Sequence, residues 1–208
     1  MSTADIAAVA IFTVWAVFTL GVRVFIHYRQ TGTTGLHGIS ATASPAEVAA
    51  GLLISASTFA LFISPFLELF WSLPSVLAAG AARWAGLVVA LFGMVITFVA
   101  QIAMGRSWRV GVDPQEKTEL VTGGPFSIVR NPIFSAMIFT ALGLTLLVDN
   151  VVAAAAFLGL TVAVEIQVRA VEEPYLMKVH GRTYGDYTRR VGRFLPSIGR
   201  RRTIKKDG

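Results

Sequence analysis

One polar stretch between two long apolar segments contains the residue types best suited to binding a small molecule. It covers residues 120–132 and reads LVTGGPFSIVRNP; we call it the strip. The run Gly123-Gly124-Pro125 predicts irregular backbone, because glycine reaches positive φ easily, whereas proline fixes φ and lacks a donor. Pro132 suits the first position of a helix, with Asn131 as its N-cap.

The predicted helix start within the strip favours a bound anion. Free N–H groups and the positive end of the helix dipole attract a carboxylate or another anionic group. Arg130 adds a fixed cation at the same place. The pattern is typical of a small-molecule site, and an ordinary turn between helices is the alternative.

A second set of charged residues follows the last apolar run of the chain. Glu172 and Glu173 follow Arg169 by three and four residues, a spacing that places all three on one face of a helix. Two interpretations stay open here. The face is either a solvated helix end, or it points into a polar cavity, because charges at membrane depth are costly and tend to be functional.

Metal and thiol chemistry are not predicted. The chain has no cysteine, which excludes disulfides, thiolate ligands and a thiolate nucleophile. The three histidines, at positions 27, 37 and 180, are too scattered to predict a metal site.

Composition predicts an integral membrane protein. Hydrophobic residues make up 54% of the 208-residue chain and charged residues 14%. The mean hydropathy is +0.66, and together these values argue against a water-soluble globule. Much of the net charge of +6 lies near the C-terminus, in Arg200-Arg201-Arg202 and Lys205-Lys206. Beside apolar spans, such a basic run indicates cytoplasmic topology and contact with anionic lipid rather than with nucleic acid.

Five apolar runs predict an all-α, polytopic fold with about five transmembrane helices. The runs cover residues 6–22, 48–67, 84–104, 133–148 and 151–164. A transmembrane helix needs roughly 20 residues, so the last two runs are short for full spans. The first run predicts a retained helix rather than a cleaved signal peptide, because no basic segment precedes it.

Capping, proline and turn residues predict where these helices begin and end. Ser44-Pro45 predicts the start of the second helix, and Ser64-Pro65 predicts that it kinks or ends there. Asp149-Asn150 predicts a tight turn between the last two helices. Gln101 is the one strongly polar residue of the third run.

Basic residues predict the orientation in the membrane. The loops after the first and third helices and the C-terminal tail contain arginines and lysines, whereas residues 73–82 contain none. The positive-inside rule therefore predicts an outer N-terminus and a cytoplasmic C-terminus, in a cell inner or plasma membrane. Aromatic and basic residues interleave over residues 175–193, which predicts an amphipathic cytoplasmic segment on the bilayer surface.

Several motifs in the C-terminal half together resemble the isoprenylcysteine carboxyl methyltransferase and phospholipid N-methyltransferase superfamily of membrane enzymes. They keep their order and typical separation from about Gly105 onward. The motifs are residues 120–126 (LVTGGPF), 129–134 (VRNPIF), 172–176 (EEPYL), 181–187 (GRTYGDY) and 191–196 (VGRFLP). The resemblance divides the chain into three N-terminal helices over residues 1–104 and a methyltransferase-like region with a helical hairpin and basic tail over residues 105–208.

The resemblance implies a helical membrane enzyme whose strip and last helices wrap S-adenosyl-L-methionine. A lipophilic methyl acceptor, either a carboxylate or an amine, would enter from the lipid bilayer, and neither metal nor nucleic acid is expected as a partner. The implied cofactor-binding residues are Leu120, Val121, Phe126, Arg130, Asn131, Pro132, Ile133, and Glu172 or Glu173. The implied catalytic residues are Arg169, near the reacting group, and Glu173.

The chain departs from the usual family pattern at four positions. Asn131 stands where a histidine is usual, Phe126 and Phe134 where tyrosines are common, and Thr118 where a histidine is frequent. An asparagine amide still donates and accepts hydrogen bonds, but it does not titrate near neutral pH. A mechanism that needs a protonated imidazole at position 131 is therefore not expected.

Two other functions stay open on the sequence. Relatives of this fold include reductases that use NADPH on sterol double bonds, and Arg106, Arg109 and Arg130 suit a phosphate-rich cofactor. A non-enzymatic membrane scaffold or lipid-binding protein is the second alternative, in which the departures at Thr118, Phe126 and Asn131 would mark a decayed site. Whether the protein binds S-adenosyl-L-methionine, NADPH or neither discriminates among the three functions.

Overall fold

A computed structural model of the chain describes residues 1–36, 43–77, 80–111 and 119–201. Within these ranges the regular structure is helical; no strand occurs there, and two isolated bridges join Leu36 to Val110 and Val129 to Gly192. The predicted all-α fold is confirmed. Thr118, His37, residues 202–208 and their predicted roles lie outside the described residues.

Six helices make up the described part of the chain. They are α1 (Thr3–Thr31), α2 (Pro45–Leu67), α3 (Gly80–Met104), α4 (Pro132–Val148), α5 (Val151–Ile166) and α6 (Glu173–Arg190). A π-helical turn lies within α1 at Val17–Val22, and a second, Gln167–Glu172, joins α5 to α6.

All five predicted apolar runs are helical. Four helical stretches of the described chain are long and apolar enough to cross a membrane: Thr3–Thr31, Pro45–Leu67, Ala82–Ser107 and Val151–Arg190. The remaining run is α4, which has 17 residues. The chain is therefore a polytopic membrane protein in which α4 is shorter than each of these four helical stretches.

Local sequence sets the ends of α2 as predicted. The Ser44 hydroxyl accepts a hydrogen bond from the Glu47 backbone N–H at 3.2 Å, and Pro45 occupies the first turn. Pro65 lies within the last turn, and the helix ends at Leu67, two residues further on.

α3 and α4 pack with their backbones almost in contact. A Cβ atom built on Gly143 would lie 2.3 Å from the Ala90 backbone nitrogen, and one built on Gly86 would lie 2.6 Å from the Gly143 carbonyl oxygen. Glycines permit this close approach between membrane helices. The short helix α4 is thereby held against α3, and its start, where the strip ends, has a fixed position.

Large apolar side chains cover the outside of the helices. Ile6, Phe92 and Leu158 are each exposed by about 60%. A buried core of small and branched residues lies between the helices and includes Ala8, Leu147 and Leu160. Apolar residues on both the inside and the outside are expected of helices surrounded by lipid.

Candidate active site

The strip has the irregular backbone that its glycines and proline predict. Gly124–Ser127 forms a 3₁₀ turn, and Gly124 has a positive φ of 57°. The Tyr187 hydroxyl of α6 donates a hydrogen bond of 2.5 Å to the Phe126 carbonyl oxygen. Tyr184 and Tyr187 are both buried. At these two positions α6 therefore packs on the protein itself rather than on the bilayer surface.

The end of the strip pairs with the segment that follows α6. The backbone N–H groups of Arg130 and Asn131 donate to the carbonyl oxygens of Gly192 and Arg193, at 2.8 and 3.1 Å. Gly192 is required for this contact, because a Cβ atom there would lie 2.1 Å from the Leu195 carbonyl oxygen. Residues 62 positions apart in the chain are thus joined at the start of α4.

Asn131 precedes α4 as predicted, but its side chain does not cap the helix. Its backbone has φ −125° and ψ 60°, and no capping hydrogen bond forms. The amide nitrogen donates instead to the Arg193 carbonyl oxygen at 3.2 Å. The reason is tertiary, since the C-terminal segment supplies an acceptor that the sequence around Asn131 does not contain.

The Arg130 guanidinium is buried and multiply bonded. Its side chain is 1% exposed, and Nη2 lies 2.7 Å from Oε1 of Glu173. Nη1 donates to the carbonyl oxygens of Val191 at 2.6 Å, and of Thr188 and Gly199 at 3.3 Å each. Arg130 therefore joins the strip to α6 and to the segment after it.

Glu173 is shared between two arginines. Besides Arg130, it accepts hydrogen bonds from Arg193, from Nε at 2.7 Å and from Nη2 at 2.9 Å. Both carboxylate oxygens are used in these contacts. Charge-assisted pairs of this kind are stronger than neutral hydrogen bonds, so Glu173 connects three parts of the C-terminal half.

A cavity of about 780 Å³ lies beside the strip. Eight of the residues predicted to bind the cofactor line it: Leu120, Val121, Phe126, Arg130, Asn131, Pro132, Ile133 and Glu172. Glu173 and Arg169 are not among the lining residues. The two neighbouring glutamates therefore differ in surroundings, with Glu172 on the cavity wall and Glu173 between arginines.

Arg169 lies outside the cavity. Its side chain is 59% exposed and pairs with Glu165 one turn earlier. Of the two interpretations left open, the one in which Arg169 points into a polar cavity together with the two glutamates does not hold, whereas its exposure fits a solvated helix end. The physical reason is the π turn at Gln167–Glu172, whose wider turns change the direction of every following side chain.

The cavity continues from its polar end into an apolar groove. Phe12, Phe62 and Met137 line this groove. Leu20 of α1 and Leu52 and Phe59 of α2 also line it and are 47%, 60% and 64% exposed. The groove therefore opens sideways between α1 and α2, on the surface that faces lipid.

Comparisons with known proteins agree with this architecture. The phospholipid methyltransferase family matches residues 81–183. Protein-S-isoprenylcysteine O-methyltransferase B of Arabidopsis thaliana is 29% identical over 115 residues, which are 54% of this chain and 58% of that protein. The eukaryotic intramembrane Ras methyltransferase ICMT (isoprenylcysteine carboxyl methyltransferase) superposes with a TM-score of 0.60 at 19% identity, covering 94% of this chain and 70% of that one. Over residues 81–183 the chain is similar to the superfamily of integral membrane methyltransferases.

Relatives with other names occur within the same similarity range. The nickel-cobalt-cadmium resistance protein NccN of Alcaligenes xylosoxydans xylosoxydans is 27% identical over 125 residues, covering 59% of this chain and 58% of that protein. The chain spans less than two thirds of the length of both curated relatives named here. Among the described residues, no group of three or more His, Asp or Glu side chains is arranged to hold a metal ion.

The fold also brings to the cavity residues that the sequence did not predict for a methyltransferase site; one of them, Arg109, was considered only for a reductase cofactor. Arg109 lies over the Tyr175 ring, 5.2 Å from its centroid, and both line the cavity. Glu47 and Glu119 line it as well, whereas Arg106 does not. Tyr175 belongs to the aromatic and basic pattern of the sequence over residues 175–193. Nothing in the sequence pointed to Glu47.

Proposed function

We propose that this protein is an S-adenosyl-L-methionine-dependent methyltransferase that acts on a lipophilic acceptor, a carboxylate or an amine. One observation carries the proposal. A single cavity joins Glu172 and the strip at one end to an apolar groove that opens towards lipid at the other. Such a cavity suits a polar cofactor and an apolar acceptor that meet in one space.

The residues at the polar end fit the charges and shape of the cofactor. Among the described residues, Glu172 accepts only a 3.5 Å hydrogen bond from Gln167, so its carboxylate keeps the capacity to hold an ammonium group. Phe126 and Ile133 offer apolar contact for an adenosyl group. The first N–H groups of α4, beside Asn131, suit the cofactor's carboxylate.

Arg130 supports this site indirectly. Because Glu173 and three carbonyl oxygens occupy Nη1 and Nη2 of its guanidinium, we assign it the positioning of the strip rather than a contact with the cofactor's carboxylate. Glu173 has the same positioning role, and Glu172 takes the contact with the ammonium.

Methyl transfer requires the protein to align the acceptor with the cofactor and to keep water out of the cavity. When bound, the cofactor supplies a methyl group on a sulfonium, and the acceptor's lone pair forms the new bond to carbon as the carbon–sulfur bond breaks. The cavity walls hold the two partners in line and exclude water. An amine acceptor loses a proton, for which the cavity wall offers the carboxylates of Glu172, Glu119 and Glu47; a carboxylate acceptor needs no base. With Arg169 outside, Arg109 is the arginine able to orient a carboxylate.

Ligand titration tests the proposal. We expect saturable calorimetric binding of S-adenosylmethionine and S-adenosylhomocysteine, and none of NADPH, to the purified protein in nanodiscs. Glu172→Gln removes a charge-assisted hydrogen bond to the ligand and should lower the affinity for both adenosyl ligands by about 10- to 100-fold. Glu165→Gln is the matched control, because its partner Arg169 lies outside the cavity, and it should bind as wild type does.

Two results would overturn the assignment. Binding of NADPH alone would indicate a reductase. Of the three arginines considered for that cofactor, Arg109 and Arg130 line the cavity and Arg106 does not. Binding of none of the ligands leaves a lipid-binding scaffold. Where adenosyl ligands bind, a labelled-methyl screen of lipid extracts identifies the acceptor, and release of label in base separates a methyl ester from a methylated amine.

A further inference from the structure

Three side chains on the cavity wall have buried polar atoms without a hydrogen-bond partner among the described residues. One is Nε of Arg130 in the strip; the other two are Nε1 of Trp15 in α1 and Oε1 of Gln101 in α3, which we consider as a pair. Both residues line the cavity, and Gln101 is 5% exposed. A buried donor or acceptor without a partner is costly, so the pair marks a place where a ligand group would be favoured.

The neighbours of Gln101 determine which way its amide faces. Its Nε2 donates to the Thr19 carbonyl oxygen at 3.1 Å. A backbone carbonyl only accepts hydrogen bonds, so the amide nitrogen must face Thr19. The amide oxygen is then left as an acceptor that α1 does not satisfy.

The position of Trp15 relates it to the same wall. The Thr19 hydroxyl donates to the Trp15 carbonyl oxygen at 2.7 Å, one turn earlier on α1, so the two residues lie on one face of that helix. The indole N–H can only donate. The wall therefore presents one donor and one acceptor, both electrically neutral.

The surroundings of Trp15 are those of the apolar groove. The Trp15 ring lies 5.6 Å from that of Phe12, and Phe12 lies 4.9 Å from Phe62. The strip and Glu172, by contrast, belong to the polar end. A ligand that reaches Trp15 and Gln101 therefore also contacts the aromatic lining, which suits the acceptor rather than the cofactor.

We propose that Trp15 and Gln101 form a subsite for an uncharged group that both donates and accepts hydrogen bonds, a hydroxyl or a secondary amide, within the lipophilic acceptor. The proposal rests on the proposed function, because it treats the apolar groove as the acceptor's binding site. A secondary amide offers its N–H to Gln101 Oε1 and its carbonyl oxygen to the Trp15 N–H. A lipid with a purely hydrocarbon tail leaves both atoms unpaired, and the site discriminates against it.

Three probes with the same tail test the subsite. N-hexadecylacetamide donates and accepts, hexadecyl acetate only accepts through its carbonyl, and hexadecyl methyl ether lacks the carbonyl. We expect wild-type protein in nanodiscs to bind the amide most tightly, the ester less tightly and the ether least tightly, with about a tenfold difference in affinity between the amide and the ether. Gln101→Met should remove the preference for amide over ester, and Trp15→Phe the preference for ester over ether.

Controls separate this proposal from the proposed function. Thr140→Val removes a buried hydroxyl whose bond stays within α4 and that does not line the main cavity, so it should keep the full order. S-adenosylhomocysteine titration of each variant checks both folding and the cofactor site. Equal binding of the three probes by wild type, or an unchanged order in folded Gln101→Met and Trp15→Phe, overturns the subsite. If S-adenosylhomocysteine does not bind wild type but the probe order holds, the proposed function fails and the subsite stands.

Discussion

At the scale of single residues, two adjacent glutamates have separate tasks. Glu173 accepts hydrogen bonds from Arg130 and Arg193 through both oxygens, whereas Glu172 lines the cavity. The Arg130 side chain is buried, and Glu173 is the only carboxylate that its guanidinium contacts among the described residues. Removing that carboxylate leaves a buried cation without its counter-ion, which is costly.

Glu173→Gln should therefore act mainly on stability. We expect the free energy of unfolding to fall by about 2–4 kcal/mol, because the buried pair with Arg130 is broken. Glu165→Gln, which breaks the exposed pair with Arg169, should cost about 0–1 kcal/mol. Denaturant unfolding in detergent measures both. A Glu173→Gln protein with wild-type stability but no affinity for S-adenosylhomocysteine would instead make Glu173 a ligand of the cofactor.

At the scale of elements, the turn between α4 and α5 holds the two predicted hairpin helices together. Asp149 has a left-handed backbone with φ 54°, and the Asn150 side chain caps α5 by accepting from the Ala153 N–H at 2.9 Å. The predicted tight turn is confirmed. The Asp149 carboxylate also accepts hydrogen bonds from the Ser75 hydroxyl and the backbone N–H of Leu77, at 2.6 and 2.9 Å, which joins this turn to the one before α3.

These contacts make the stability of the turn depend on pH. Burial alone would raise the pKa of the Asp149 carboxyl, but hydrogen bonds from Ser75, Leu77 and Val76, with Arg83 nearby, outweigh burial and lower the pKa below its ordinary value of 3.8. Because the folded-state pKa is the lower one, the stabilisation is complete above the unfolded-state value. It is lost as pH falls through the folded-state value.

Asp149→Asn should show this dependence. The variant cannot form the charge-assisted hydrogen bonds, so we expect it to be less stable than wild type by about 1–3 kcal/mol at pH 7. The difference should shrink as the pH falls below 3.8, where the wild-type carboxyl takes up its proton. Thermal unfolding in detergent between pH 7 and pH 3 checks the trend, and a difference that stays constant over this range contradicts it.

At the scale of the whole molecule, the cavity collects residues from both ends of the chain. α1 and α2 supply the apolar groove, while the strip, the π turn before α6 and α6 itself supply the polar end. The sideways opening between α1 and α2 faces the lipid, so a lipophilic acceptor can reach the polar end without crossing water. Both halves of the predicted division at residue 104 therefore contribute to one cavity.

A label at this opening should block the acceptor and spare the cofactor. The native chain has no cysteine, so Phe59→Cys can be labelled at one place with a bulky maleimide. We expect labelled-methyl transfer to a lipid extract to fall about tenfold or more, because the acceptor can no longer align, while S-adenosylhomocysteine still binds. Val88→Cys, 66% exposed and not lining the cavity, is the matched control. Full activity of labelled Phe59→Cys protein would place the entrance elsewhere.

The sequence by itself determined the features that depend on neighbours in the chain. Apolar runs of sufficient length predicted the helices, and Gly123-Gly124-Pro125 predicted the irregular backbone of the strip. The strip together with the acidic pair at residues 172 and 173 pointed to the superfamily. Each of these signals is local, because backbone preference and hydrophobic length are properties of short segments.

Only the tertiary structure decided the partners of the charged residues. Arg130 and Glu173 lie 43 positions apart, and their pairing depends on how α4 and α6 pack rather than on either segment alone. The π turn at Gln167–Glu172 separated Arg169 from the cavity, because it breaks the regular helical spacing on which the sequence prediction relied. The donor and acceptor at Trp15 and Gln101 face one cavity because the packing of α1 on α3 brings together residues that are distant in the sequence.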